Sequence, residues 1–178
     1  MSRLSAINPA HAEGLAATLF AGITKAVGKV PNAYATVGTH SPESLAAALA
    51  LDQAVGKTSL SRSEIETIKL AISAQAGCDY CVAAHSLMGR KAGLSDEELR
   101  QIRAGSETGE EKRDALLRFV RTLAATQGTL PAAEVQAVQA AGYSERQLIE
   151  IALAVASITF TNLVNRINDT EVDFPAVD

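Results

Sequence analysis

The two cysteines of this 178-residue chain stand together in the tetrapeptide Cys78-Asp79-Tyr80-Cys81. Cysteines at this spacing near the start of a helix can close into a small, somewhat strained disulfide that a dithiol partner reopens. The helix N-terminus also stabilises a thiolate and lowers the pKa of a thiol placed there. His85 follows Cys81 by four residues, so its imidazole would rise on the same helical face and could accept the thiol proton. The motif therefore predicts redox or nucleophilic cysteine chemistry.

Glu66 is the candidate proton carrier for this group. It lies twelve residues before Cys78, in a segment whose isoleucines recur at helical spacing. If a turn at Gly77 folds the two helices together, the Glu66 carboxylate could reach the imidazole and complete a proton relay. The alternative is a solvated ion pair with Lys69, three residues along the same helix. The spacing leaves both interpretations open.

A metal site is another interpretation of the cysteine pair. The cysteines and His85 supply three ligands, and the fourth would have to be Glu66, His11 or His40. The chain has no second Cys-x-x-Cys and no histidine pair, which argues against zinc. Haem attachment is excluded because His85 does not follow Cys81 directly. Two buried and inert cysteines are a further alternative. We predict no metal.

The composition predicts an all-α fold, a compact helical bundle. The chain is 47% hydrophobic and 20% charged, which is typical of a globular protein. It is rich in alanine, has 4% aromatic residues and has no Trp, whereas a β-sandwich would contain far more β-branched and aromatic residues. The scarcity of aromatic rings also argues against a large stacked cofactor, so we predict none. The net charge of −4 gives no electrostatic footprint for nucleic acid.

Caps, glycines and apolar periodicity divide the chain into helices. The first carries an apolar stripe of Leu15, Leu19, Ile23 and Val27. Residues 105–112 are the candidate linker, and the acidic tail 170–178 is expected to be extended. The predicted helices cover 9–27, a short stretch from 31 to 37, 41–55, 61–76, 78–93, 95–105, 113–126, 132–140 and 144–157, with a last one ending near 168.

We predict a single domain over residues 1–178 with a catalytic core at about 43–93. A shift of 83 residues overlays 60–72 on 143–155, which suggests a second, non-catalytic repeat at about 113–169. The alternative is that two amphipathic helices share a period.

Nothing in the first thirty residues resembles an export signal. The longest apolar stretch, Ile149 to Ile158, is interrupted by Glu150 and is too short to span a bilayer. We therefore predict a cytoplasmic protein without a membrane partner.

Glu66, Cys78, Cys81 and His85 follow one another at the intervals of a known signature. The chain resembles the alkylhydroperoxidase D-like group of the carboxymuconolactone decarboxylase superfamily, most sharply over residues 60–93. The segment 160–175 is also similar to a subgroup described as peroxidase-related. Tyr80 stands where the best-known members carry a histidine between the cysteines.

The resemblance implies an all-helical, homo-oligomeric thiol peroxidase, a trimer or a hexamer, that uses a hydroperoxide and a dithiol reductant. It implies that Cys81 attacks the terminal oxygen of the hydroperoxide and becomes a sulfenic acid, that Cys78 resolves it as a disulfide, and that Glu66 and His85 shuttle protons. The residues themselves leave the order open, because Cys78 is nearer the helix start and could be the more acidic thiol.

Three alternative functions remain at the level of sequence. The first is a general disulfide oxidoreductase, the second a lactone decarboxylase or other non-redox enzyme of the superfamily. The third is a non-catalytic helical oligomer whose disulfide senses redox state. The complete Cys-Cys-His-Glu set favours the peroxidase.

Overall fold

The computed structural model describes residues 2–126 and 128–177, and the regular elements within those ranges are all helical. The all-α prediction is confirmed. A short 3₁₀ turn, Pro9–His11, precedes the α-helices. These are α1 Gly14–Val27, α2 Asn32–His40, α3 Pro42–Val55, α4 Arg62–Ala76, α5 Asp79–Lys91, α6 Asp96–Ala104, α7 Glu111–Ala125, α8 Ala132–Ala140 and α9 Glu145–Asn168.

Local capping explains where the site helices begin and end. The Ser61 hydroxyl accepts a hydrogen bond from the Glu64 amide, and the Glu64 carboxylate accepts one from the Ser61 amide, a reciprocal box that starts α4. Gly77 ends α4 with φ of 65°, a left-handed conformation that favours glycine. Cys78 follows at once as the N-cap of α5. A turn of two residues therefore folds α5 back beside α4.

Helix α4 is the centre of the fold. It packs against α5, α6, α7 and α9, and its residues from Thr67 to Ser73 are all buried. A helix that is buried on nearly all sides serves as a scaffold on which neighbouring helices are fixed. It therefore holds in place both α5, which carries the cysteines, and α9, which contacts Cys81 through Asn165.

The first predicted helix is wrong in its start, and of its predicted stripe Ile23 is buried and Leu19 packs against the buried cluster. Pro9–His11 forms a separate turn, and α1 begins only at Gly14. Leu15 and Val27 are exposed, whereas Phe20 and Ile23 are buried with Leu45 of α3. A Cβ at Gly38 would lie 2.5 Å from the Phe20 ring, so this ring packs directly on the backbone of α2. The apolar stripe in the sequence does not include Phe20 and therefore does not predict the contact of its ring with the α2 backbone.

The predicted break near Ser157 is also wrong, because residues 145–168 form one helix of 24 residues. Ser157 is buried within it and donates a hydrogen bond to Asp52 Oδ1 at 2.6 Å. Helix α9 is long and apolar enough to cross a bilayer by length and composition, a test that core helices of globular proteins also pass. Here one of its faces packs against α3 and α4.

The remaining boundaries agree with the predictions to within a few residues. Residues 105–110 link α6 to α7, and residues 170–177 are non-helical as expected, while Asp178 lies outside the described residues. Both α4 and α9 begin one residue after a serine capping box, at the 83-residue offset seen in the sequence. Helix α9 continues, however, where α4 turns at Gly77. The single domain and its repeat stay predictions.

Candidate active site

Cys78 and Cys81 are both free thiols in the interior of the fold. Cys78 is 2% exposed and Cys81 3%. Because Cys78 is the N-cap of α5, its sulfur accepts a hydrogen bond from the backbone N–H of Cys81 at 3.4 Å. A helix N-terminus offers unpaired N–H groups to a negative charge. This is the position from which a thiolate gains most.

The two thiols differ in acidity for this reason. The hydrogen bond with the Cys81 side chain, and then the backbone N–H of Cys81, hold the pKa of Cys78 below its usual range despite burial. The same contact with Cys78, together with burial, strongly raises the pKa of Cys81. Asn165 and Thr161 act on the Cys81 pKa in the opposite direction. The N-cap position, with its hydrogen bond from the Cys81 N–H, therefore favours a thiolate on Cys78.

Glu66 and His85 are brought together as the relay hypothesis requires. Glu66 Oε2 lies 2.8 Å from His85 Nδ1, and both side chains are largely buried between α4 and α5. With Nδ1–H donating to the carboxylate, Nε2 is left to accept a proton. The surface pair of Glu66 with Lys69 does not form, because Lys69 Nζ contacts Asp52 Oδ1 at 2.7 Å instead.

His85 makes no hydrogen bond to the cysteines in the part of the chain that the structure describes. The i, i+4 spacing on α5 places His85 on the expected helix, but its Nδ1 is committed to Glu66. A proton passing between Cys81 and His85 therefore needs an intermediary.

Two of the three residues named as a fourth zinc ligand, His11 and His40, have other surroundings. His40 Nε2 lies 2.9 Å from the Ser5 carbonyl oxygen, and His11 ends the 3₁₀ turn near the N-terminus. No group of three or more metal-ligating side chains forms in the part of the chain that the structure describes.

Helix α9 supplies a contact that sequence reasoning missed. Asn165 Nδ2 donates a hydrogen bond to Cys81 Sγ at 3.3 Å. One turn earlier, Asn162 Oδ1 accepts a hydrogen bond from the Ser73 hydroxyl at 3.1 Å. Asn162, Asn165 and Asn168 are all buried. Three asparagines at intervals of three residues in an apolar helix were the signal that could have identified this face.

A second polar network lies beside the relay. Asp52 accepts hydrogen bonds from Lys69, from Ser157 and, at 3.3 Å, from the Tyr34 hydroxyl. Burial alone would raise the pKa of Asp52, but the charge and hydrogen bond of Lys69 hold it below its usual value. The positive charge of a protonated His85 acts in the same direction. These four side chains join α2, α3, α4 and α9.

Tyr80, between the cysteines, contacts two residues of the C-terminal tail, Asp173 and Phe174. Its hydroxyl donates to Asp173 Oδ1 at 2.8 Å and accepts the Ala33 N–H at 3.2 Å. Its ring meets Phe174 edge to face, with centroids 5.3 Å apart. Burial raises the pKa of Tyr80, so the phenol stays neutral and serves as a hydrogen-bond donor.

Two spaces adjoin the sulfurs. A polar cleft of about 240 Å³ is lined by Cys78, Asn165 and Arg166 among others. An enclosed space of about 10 Å³, roughly one water molecule, is lined by Tyr34, Thr161 and Asn165 among others. Asn165 lines both. Cys78 lines the cleft, and Cys81 lines neither space.

Residues 42–109 match the model of the carboxymuconolactone decarboxylase family. This range contains all four signature residues, Glu66, Cys78, Cys81 and His85. No curated protein sequence matches the chain.

Several solved structures share the fold. A peroxidase-related protein from Ralstonia eutropha JMP134, described as an alkylhydroperoxidase AhpD core, superposes with a TM-score of 0.87 at 22% identity, covering 97% of this chain and 92% of that one. A protein of unknown function from Agrobacterium tumefaciens gives 0.70 at 26% identity, covering 76% and 94%. The debrominase Bmp8, in complex with 2,3,4-tribromopyrrole, gives 0.77 at 22% identity, covering 97% and 92%.

The family match covers the helices that carry the signature, and the structural likeness extends over almost the whole chain. Residues 42–109 therefore match the carboxymuconolactone decarboxylase family, and the chain shares the fold of solved proteins described as an alkylhydroperoxidase AhpD core and as a putative AhpD.

Proposed function

We propose that this chain is a thiol-dependent peroxidase that reduces organic hydroperoxides through Cys78 and Cys81, with Glu66 and His85 as its proton relay. The observation that carries this proposal is the pair of free thiols at the start of α5, one of them stabilised as a thiolate and open to a cleft. The Glu66–His85 contact on the adjoining faces of α4 and α5 supports the relay.

The acidity and position of Cys78 favour it as the attacking thiol, the reverse of the order that the family resemblance implies. Its thiolate attacks the terminal oxygen of the hydroperoxide, so that an S–O bond forms and the O–O bond breaks. The alkoxide takes up a proton and leaves as an alcohol. Cys78 is now a sulfenic acid.

Cys81 then closes the cycle. Its sulfur attacks Cys78, a disulfide forms, and the sulfenic oxygen leaves with the Cys81 proton as water. A dithiol reductant restores both thiols and is itself oxidised to a disulfide. The net reaction converts a hydroperoxide and a dithiol into an alcohol, water and a disulfide.

The setting of the reaction is proposed with it. A reducing cytoplasm would keep both thiols free between turnovers. We also propose a homo-oligomer, because α9 exposes large apolar side chains at Ile149, Leu163 and Ile167. The family resemblance implies that it is a trimer or a hexamer. Light scattering on the purified protein would test the assembly, and a monomer would contradict it.

The function is tested by turnover of cumene hydroperoxide with dithiothreitol as reductant. Cys78→Ser is expected to reduce the rate to that of the uncatalysed reaction, and Cys81→Ser is expected to lower it to the rate at which dithiothreitol reduces the Cys78 sulfenic acid directly. Ser63→Ala is a matched control, because its small hydroxyl lies at the start of α4, where it forms a hydrogen bond with Ser61. Equal rates in the wild type and both cysteine variants would contradict the proposal.

Reductive debromination is a second candidate. A thiolate that attacks an electrophilic oxygen can also attack an aromatic bromine, and the fold is that of a debrominase over 97% of this chain. The same assay with 2,3,4-tribromopyrrole in place of the peroxide measures this activity as bromide release. Dithiol-dependent bromide release without hydroperoxide turnover would replace the peroxidase proposal.

A further inference from the structure

The C-terminal tail, residues 169–174, runs from the end of α9 along one side of the cysteine cleft. Asp169 turns the chain with φ of 51°, and it is the only non-glycine with a positive φ among the described residues. Asp169 and Thr170 then line the cleft together with Cys78. The Thr170 N–H donates to the Asn165 carbonyl oxygen at 3.2 Å, which fixes the start of the tail. A segment outside the helical core therefore forms one wall of the cleft.

Asp173 and Phe174 attach the other end of the tail to the helix that carries the cysteines. Asp173 Oδ1 accepts a hydrogen bond from the Tyr80 hydroxyl at 2.8 Å, and Asp173 Oδ2 lies 2.7 Å from Lys29 Nζ. The Phe174 ring meets the Tyr80 ring edge to face, and Lys29 Nζ lies 5.5 Å from the Phe174 centroid. We call Lys29, Tyr80, Asp173 and Phe174 the tail clamp. An ion pair, a hydrogen bond and a ring contact thus hold two tail residues.

The cleft leads to one of the two sulfurs. Cys78 lines it and is 2% exposed, whereas Cys81 lines neither of the spaces beside the site. A disulfide joins the same two sulfurs whichever of them reacts with the hydroperoxide, so a reductant reaches that disulfide at Cys78. The cleft volume of about 240 Å³ lies below the range of about 300–1,000 Å³ that is typical of sites for drug-sized ligands. The cleft therefore fits a small molecule.

We propose that the tail clamp selects the reductant: with the clamp closed, the cleft admits a small dithiol and excludes a protein dithiol. This inference rests on the proposed dithiol chemistry and adds the class of the reductant to it. It does not depend on which cysteine meets the hydroperoxide. Asp173 and Tyr80 act through the tail and not on the reacting atoms, so they are positioning residues.

The reduction itself is a thiol–disulfide exchange in two steps. One thiolate of the small dithiol attacks Cys78 Sγ, a mixed disulfide forms, the Cys78–Cys81 bond breaks, and Cys81 leaves as a thiolate that takes up a proton. The second thiol of the reductant loses its proton and attacks the reductant sulfur of the mixed disulfide. Cys78 is then released and protonated, and the reductant leaves as a cyclic disulfide.

A protein dithiol needs the tail to open, because its cysteines lie on a large surface that meets the tail before they reach Cys78. Terminal segments outside the core open more readily than packed helices, and here the clamp sets the free energy of opening. The rate of a reaction that goes through the open form follows the population of that form. Loss of one hydrogen bond to a charged group raises this population by about tenfold to a hundredfold.

The first experiment compares two reductants on a disulfide that is made without peroxide. The protein is oxidised with diamide, and its reduction by dithiothreitol or by reduced thioredoxin, a protein dithiol, is followed by alkylation and mass spectrometry. In the wild type, thioredoxin should be the slower reductant. Asp173→Asn and Tyr80→Phe should each raise the ratio of the thioredoxin rate to the dithiothreitol rate by about tenfold to a hundredfold.

Glu171→Gln is the matched control, because it removes a negative charge from the same tail outside the clamp. Glu171 is exposed, and it contacts Ser2 and Asn32 through its backbone. Its ratio should equal that of the wild type. Wild-type protein that thioredoxin reduces as fast as dithiothreitol does would overturn the proposal. So would an unchanged ratio in both Asp173→Asn and Tyr80→Phe.

Hydrogen exchange of the tail, measured by mass spectrometry on the reduced protein, tests whether the clamp holds the tail closed. The Thr170 amide should exchange faster in Asp173→Asn than in the wild type, and equal exchange would contradict the clamp. If the diamide-made disulfide shows the predicted ratios but cumene hydroperoxide never forms it, the peroxidase proposal fails and the selection by the tail stands. If cumene hydroperoxide forms the disulfide and the ratios do not move, the selection fails and the peroxidase stands.

Discussion

The two sulfurs lie three residues apart on one helix, yet they face different parts of the molecule. Cys78 caps α5, accepts a backbone N–H and opens to a polar cleft. Cys81 lies one turn inward, where α9 covers it and Asn165 is its side-chain donor. The comparison shows that a Cys-x-x-Cys spacing fixes how close the sulfurs are, while the surrounding helices decide which of them is charged.

The largest expected effect comes from replacing Cys78, the thiol of the pair that we expect to carry the negative charge. Cys78→Ser should abolish both sulfenic acid formation and turnover, because the sulfur that lines the cleft is then absent. Cys81→Ser should still form a sulfenic acid on Cys78 once per chain but should not close a disulfide. Dimedone labelling followed by mass spectrometry distinguishes the two. Dimedone label on Cys81 of the Cys78→Ser variant, with none on Cys78 of the Cys81→Ser variant, would show that Cys81 is the attacking thiol.

Loss of the relay carboxylate is expected to be next in size. Glu66→Gln keeps a hydrogen-bond partner for His85 but removes the negative charge, so His85 is less able to hold a proton. We expect turnover to fall by about a hundredfold, the usual contribution of a positioned acid or base. The measurement is the pH–rate profile of cumene hydroperoxide turnover. An unchanged profile would remove Glu66 from the relay.

The next prediction concerns the ion pair of Asp52 with the buried Lys69, whose loss should lower the stability of the fold. Asp52→Asn leaves the buried Lys69 without its carboxylate partner and should lower the free energy of unfolding by about 1–3 kcal/mol. Because the folded protein lowers the pKa of Asp52, this carboxylate contributes stability above its unfolded pKa and loses it as the pH falls towards the folded value.

Urea unfolding at neutral pH and at acidic pH measures this effect. The wild type should lose stability on acidification more steeply than Asp52→Asn, so that the difference between the two proteins narrows. A constant difference across that range would show that the charge of Asp52 is not the cause.

The smallest expected effect comes from replacing Arg166, a charged residue that lines the cleft beside Cys78. The positive charge of Arg166 lowers the pKa of Cys78, so Arg166→Gln should move the pH midpoint of Cys78 alkylation upward. Because Arg166 is exposed, its charge is screened and the shift should shrink further in high salt. Arg118→Gln, on the exposed face of α7, is the matched control. Equal midpoints in both variants would remove Arg166 from the account.

The local parts of the site could be predicted from the sequence. Ser61, Gly77 and the spacing from Cys78 to His85 specify two capped helices and the turn between them, and each of these signals lies within a few residues of the element it controls. The Glu66–His85 contact followed as one of two hypotheses, because the turn at Gly77 leaves little freedom in how α4 and α5 meet.

The parts that depend on distant chain segments could not be predicted. Asn165 meets Cys81 across 84 residues, and Ser157 meets Asp52 across 105. A buried serine inside an apolar run resembles a helix break in sequence. The sequence therefore predicts two helices that meet at Ser157, where the structure has the single helix α9. Helical periodicity identifies a polar stripe but not the partner it faces.

The central claim is that Cys78 is the sulfur that meets the hydroperoxide. Its most direct test is residue-resolved mass spectrometry of Cys81→Ser after one equivalent of cumene hydroperoxide and dimedone. We predict a dimedone adduct on Cys78, in an amount close to that of the peroxide consumed. Peroxide that remains unconsumed, with Cys78 recovered as a free thiol, would contradict it.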